Sequence, residues 1–139
     1  MKKLTLLFTT FILIIACSRK FEKFELFSAE SFAYSMDSGW ELNATVRAKG
    51  FEQDEENNKF TVKLSYFADI QTPEGKLLER ISSGVVDKTS DEKLIDIPIE
   101  TQIKLDSTFA PGIYKITFFV KDEATGKKGH LSSFFELSK

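Results

Sequence analysis

The stretch Trp40-Glu41-Leu42-Asn43-Ala44-Thr45-Val46-Arg47-Ala48-Lys49 alternates without a fault: the even positions are all apolar and the odd ones all polar. Successive side chains of a strand point to opposite faces, so this period of two predicts a half-buried β-strand. The same reading applies downstream. From Phe60 to Gln71 the positions Phe60, Val62, Leu64, Tyr66, Ala68 and Ile70 are apolar, and Phe67 alone interrupts a polar opposite face. Ile95, Ile97, Ile99, Ile103 and Leu105 form a third row, with Pro98 tolerated only at a bend or a sheet edge because it has no N–H to give a ladder. Tyr114, Ile116, Phe118 and Val120 form another, and Leu131, Ser133, Phe135 and Leu137 the last. Leu77 to Val86 reads as a short strand of ambiguous parity, and residues 24–34 hold a candidate first strand.

Turn chemistry separates these rows. Thr72-Pro73-Glu74-Gly75-Lys76, Ala110-Pro111-Gly112 and Thr125-Gly126-Lys127 place proline, with its fixed φ, and glycine, with its access to positive φ, where the chain must reverse. The stretch Glu52-Gln53-Asp54-Glu55-Glu56-Asn57-Asn58 lacks an apolar period and reads as a solvated loop. At 139 residues and 42% hydrophobic content the chain suits one globular domain and is short for two. The expected fold is all-β, two antiparallel sheets of about seven strands in total burying alternate side chains against each other. The segment Pro111-Gly112-Ile113-Tyr114, its alternating strand, Asp122 and Thr125-Gly126-Lys127 resemble the sixth and seventh strands of immunoglobulin-like modules of bacterial envelope proteins. That resemblance implies an immunoglobulin-like sandwich in which Tyr114 is a tyrosine corner, its hydroxyl bonding back to the backbone near Asp106 or Ser107. It speaks for fold and not for activity.

The N-terminus reads as an address. Lys2 and Lys3 precede an apolar run from Leu4 to Ala16. At about 1.5 Å per helical residue this run reaches roughly 20 Å, short of a ~30 Å hydrocarbon core, and fits a secretory signal better than a membrane span. Ile14-Ile15-Ala16-Cys17 resembles the lipobox of bacterial lipoproteins, which implies cleavage before Cys17 and a lipid on its sulfur. A plain signal peptide or a short uncleaved anchor is the alternative. A diacylglyceryl cysteine supplies the two chains that stable anchoring needs, at about 0.8 kcal/mol per buried methylene. The expected organisation is a signal peptide at 1–16, lipidated cysteine and tether at 17–28, and the sandwich at 29–139. The expected location is a bacterial cell envelope, outer membrane or periplasmic face; Ser18 carries no acidic retention signal.

Composition closes several routes to function. Lys and Arg total 19 against 21 Asp and Glu, which removes the electrostatic basis of nucleic-acid binding. Cleavage before Cys17 would leave 17 basic against 21 acidic residues. Cys17 and His130 are the only cysteine and histidine, too few for an internal disulfide or a two-histidine metal site. His130, Asp122 and a serine could be drawn as a hydrolytic triad, yet no G-x-S-x-G element is present, and His130 reads as a surface residue of the last strand. Asp54, Glu55, Glu56 and Asn58 offer oxygen ligands for calcium but lack the Asp-x-Asx-x-Asx-Gly order of a preorganised loop. No metal or cofactor is therefore expected, and Lys127-Lys128 is an ordinary hairpin tip.

The informative residues are aromatic ones in the wrong register. Phe67, Phe119 and Phe134 take the polar parity of the third, sixth and seventh predicted strands, which share a sheet in an immunoglobulin-like sandwich. Exposed together they mark a contact surface. Alternatively Phe21, Phe24 and Phe27, which themselves need burial, fold back over that sheet and cover it. The expectation is a non-enzymatic, lipid-anchored binding or structural module with a protein or glycan partner in the envelope. A small envelope hydrolase or accessory subunit of an enzyme, and a calcium-dependent adhesion module, are the alternatives.

Overall fold

Along Trp40–Lys49 every second side chain enters a dry interior: Leu42, Val46 and Ala48 are fully enclosed, while Glu41, Asn43, Thr45 and Arg47 reach the surface. The computed structural model describes residues 22–138, and all of its regular structure is strand. In chain order the strands are β1 (Glu25–Met36), β2 (Gly39–Lys49), β3 (Asp54–Glu56), β4 (Lys59–Gln71), β5 (Leu77–Ser90), β6 (Asp96–Asp106), β7 (Gly112–Asp122) and β8 (Lys128–Leu137). β1-β2-β6 form one antiparallel sheet; β5-β4-β7-β8 form the other, with β3 paired to the start of β4. Three strands over four in this order is the immunoglobulin-like arrangement, with β3 as an addition.

The two sheets bury their inward rows against each other. Leu42, Val46, Ile97, Ile99 and Leu105 from one meet Leu64, Ile70, Ile116, Phe118 and Leu137 from the other, each at most 1% exposed. Enclosing each such side chain contributes about 1.5–3 kcal/mol. Hydroxyls close both open edges. Ser31 Oγ donates to Ser133 Oγ (2.8 Å) and Phe134 O (3.1 Å) across the β1/β8 seam, and Ser82 and Thr101 share a hydroxyl bond between β5 and β6. Among the described residues the core runs from Phe24 to Leu137.

Several expectations change. The two-sheet antiparallel sandwich is as expected, and among the described residues it has eight strands, the acidic stretch supplying a short one where a loop was expected. Asp54–Glu56 pair with Lys59–Thr61 through Asn57 and Asn58, whose φ values of 53° and 62° make the doubly left-handed turn of a tight hairpin. All three β3 residues are exposed, as a solvated acidic arm should be. The domain begins before residue 29: β1 starts at Glu25, and Phe24 and Leu26 belong to the core, so 24–28 are sandwich and not tether. Where β2 ends, Gly50 (φ 73°) lies so close to the entering chain that a Cβ would come within 2.1 Å of Lys23 O. Pro98 sits on β6, an edge strand. The Tyr114 hydroxyl does bond back to the backbone, but to Ala110 O at 2.7 Å rather than near Asp106. Burial pushes its pKa up, with Glu74 adding to the shift.

Candidate functional site

β4, β7 and β8 lie side by side, so their outward residues form rungs across one face. Phe67 pairs directly with Phe119, and Phe119 with His130. The two phenyl rings stack at 4.7 Å between centroids with 12° between planes, and His130 stacks beyond Phe119 at 5.8 Å and 29°. A centroid spacing equal to the spacing of neighbouring strands means that the rings stand upright on the sheet, faces to each other and edges to water. Both phenylalanines are half-buried in this posture.

The free face of Phe67 is capped from β5. Between Ala68↔Ser82 and Ile70↔Leu78 the register slips, leaving Glu79, Arg80 and Ile81 opposite Asp69 alone. Within this bulge Arg80 takes φ 49°, a left-handed conformation rare for a side chain of its size, and its N–H donates to Asp69 Oδ1 at 2.8 Å. The guanidinium carbon is thereby held 3.9 Å from the Phe67 centroid. Arg80, Phe67, Phe119 and His130 thus make one continuous stack across four strands, the floor of an open depression of about 590 Å³. Lys121, Glu123 and Lys128 border it. The Ser65 hydroxyl bound to Glu123, together with Lys121 and Lys63, holds that carboxyl below the usual range.

Phe67 and Phe119 are therefore brought together. Phe134 shares their face but not their stack: it is 68% exposed and pairs with Lys115, four residues along β7 from Phe119, roughly 13 Å at 3.3 Å per residue. Covering by Phe24 and Phe27 does not occur. Phe24 closes the end of the core, and Phe27 lies in the outward register of the three-stranded sheet, opposite Arg47 and under the Lys49 ammonium at 5.2 Å. Phe21 and Cys17 fall outside the described residues, as does the signal-like segment. No helix among the described residues is long and apolar enough to cross a membrane.

His130 is a surface residue of the last strand. Asp122 is fully buried and committed elsewhere: its carboxylate accepts the N–H groups of Glu52 (2.8 Å) and Ala124 (3.1 Å), pinning the β7–β8 turn to the segment after β2. Among the described residues no three of His, Cys, Asp and Glu converge as metal ligands would. Two features escaped the sequence reading. Arg80 was invisible because its place depends on a bulge. A second exposed apolar row, Phe32, Tyr34 and Met36 on β1, follows the same period of two and is legible in principle from spacing alone.

No family model and no curated protein sequence matches this chain. Among solved structures it is similar to part of a family 123 glycoside hydrolase from Clostridium perfringens, studied for glycolipid glycan hydrolysis: TM-score 0.51, 15% identity, covering 78% of this chain. The chain spans 22% of that enzyme's length. A protein from Archaeoglobus fulgidus is similar at a TM-score of 0.44 and 12% identity, over 83% of this chain and 98% of that one. At such identities the first likeness is one of fold alone.

Proposed function

We propose that this protein is a lipid-anchored, non-catalytic contact module of a bacterial cell envelope, tethered through Cys17 and engaging its partner with the outer face of the five-stranded sheet. The observation that carries the reading is the Phe67–Phe119 stack, two large apolar rings kept in the outward register and capped by Arg80 and His130 in an open depression. Apolar area concentrated on one face is the mark of an interaction surface. Val85, Ile113 and Phe134 widen it, each more than half exposed on the same side of the sheet. The non-catalytic part is supported by the commitment of the buried Asp122 carboxylate to backbone N–H groups rather than to His130.

A photo-cross-linking residue at Phe119 should capture an envelope component, whereas one at Thr45, between Glu30 and Glu100 on the other sheet, should not. Equal capture from both positions overturns the assigned surface. Cys17→Ala should move the protein from the membrane to the soluble fraction; retention in the membrane overturns the anchor. A glycan partner is the second reading, favoured by the likeness of the fold to part of a glycoside hydrolase. Sugar rings stack on an open aromatic face, however, and both faces of Phe67 and of Phe119 are taken.

A further inference from the structure

The geometry points to an acidic peptide segment of a partner protein, with carboxylates beside apolar side chains, as the occupant of the Phe67–Phe119 depression. The inference rests on the contact reading above and gives that surface a chemistry. Charge is the first argument. The chain from Cys17 onward carries 17 basic against 21 acidic residues, yet the charged side chains around the depression are Arg80, Lys121 and Lys128 against Glu123. Glu123 is occupied by the Ser65 hydroxyl and by Lys121 at 4.0 Å. Arg80 and Lys128 enter no ion pair among the described residues; Asp69, the carboxylate beside Arg80, accepts the Arg80 N–H and keeps its charge, so three cations still stand against two carboxylates. A positive island on an acidic protein selects for an anion by attraction there and by repulsion elsewhere.

Ring orientation is the second argument. An aromatic ring is negative on its faces and positive at its edge. Because Phe67 and Phe119 stand upright, their faces are spent on each other, on the Arg80 guanidinium and on the His130 ring, and they offer edges to the solvent. A carboxylate lying over those edges is attracted by the rings as well as by the guanidinium and the ammonium groups. The third argument is the surround: Val85 and Phe134, 59% and 68% exposed on the same face, suit apolar side chains flanking the carboxylates. An anionic oligosaccharide would satisfy the charges and leave these unused.

The test is an NMR titration of the unlipidated chain, residues 17–139 with Cys17→Ala, with a blocked hexapeptide of alternating Glu and Leu. Its Lys/Leu counterpart and trigalacturonate are the comparison probes. The Glu/Leu peptide should give saturable shifts at Gly129, His130 and the Phe67 and Phe119 rings, weakening several-fold between 50 and 300 mM NaCl as screening shortens. Arg80→Gln and Lys128→Gln should each weaken it about 2- to 5-fold, with melting temperatures confirming that both variants fold. Absence of saturable shifts, equal binding of the Lys/Leu peptide, or indifference to both substitutions overturns the inference. Binding of trigalacturonate alone overturns the peptide in favour of a glycan. Self-association in sedimentation that is abolished by Glu55→Lys overturns it in favour of the acidic β3 arm of a second copy. Cross-linking from Phe119 in the envelope does not depend on charge, so its success beside a failed titration would sink the acidic ligand and spare the contact surface.

Discussion

The outward registers of β2 and β6 on one sheet and of β4 and β7 on the other, strands of similar length, treat water in opposite ways. On β2 and β6 the outward residues are polar and pair with one another: Gln102 donates to Glu41 at 2.7 Å, and Arg47 binds Asp96. Such groups lose little by staying hydrated and gain little from pairing. On β4 and β7 the same outward register holds two phenyl rings whose exposure is relieved by stacking on each other, under Arg80 and against His130. A face that solvent alone had shaped would look like the first. The second is held together by specific contacts between side chains and still leaves an added partner apolar surface to remove from water, separate from the exposed row Phe32, Tyr34 and Met36 on β1.

The largest expected effect comes from neighbours on β7 that point in opposite directions. Phe118→Ala, which empties a fully buried site, should cost about 3–5 kcal/mol in denaturant unfolding, and Phe119→Ala about 1 kcal/mol. Equal costs would mean that the outer face is sealed in solution and the contrast between faces is false. Next, a double-mutant cycle on Phe67 and Phe119 should give a coupling of about 0.5–1.5 kcal/mol that survives 1 M NaCl. The matching cycle on Arg47 and Asp96, whose side chains are 40% and 27% exposed, should give less than about 1 kcal/mol and fade in the same salt.

Smaller still, Arg80→Ala should lower stability by about 0.5–1 kcal/mol through the lost cation–π contact. Arg80→Gly should prove more stable than Arg80→Ala, because glycine relieves the φ of 49°. If alanine and glycine behave alike, the bulge conformation carries no strain. The finest effect is in titration. Glu123 is held below its usual pKa chiefly by the Ser65 hydroxyl, so its stabilising contribution is present above the ordinary carboxylate range and disappears as pH falls through its lowered value. Ser65→Ala should raise the Glu123 midpoint, read by carboxyl carbon NMR, and lessen the loss of stability on acidification. Asp106, far from this face and held low by Thr108, should titrate unchanged and serves as the internal control.

Much of this molecule is legible along the chain because strand burial repeats every two residues, a local property. Trp40–Lys49, Phe60–Gln71 and Tyr114–Val120 could be assigned an inside and an outside from spacing alone, and the odd register of Phe67, Phe119 and Phe134 followed from the same count. Leu77–Val86 resisted it for a definite reason: the bulge at Glu79–Ile81 inserts two extra residues, so Leu78 and Val86 face inward and Leu77 and Val85 outward on either side of it, while Ile81 inside the bulge packs against the core out of that alternation. The acidic stretch reads as loop because a two-residue turn of asparagines is weaker punctuation than glycine or proline.

The sequence by itself determined which side chains of the long strands are dry and which are wet, and it marked three phenylalanines as anomalous. Only the tertiary structure decided that two of them stack, that the third stands apart, and that an arginine ten or more residues away in the chain caps the stack. Alternation is set by each residue's own backbone, but a cross-strand rung depends on sheet order and register, which many distant contacts choose together. The site is a property of pairings, and pairings are not written in any single strand.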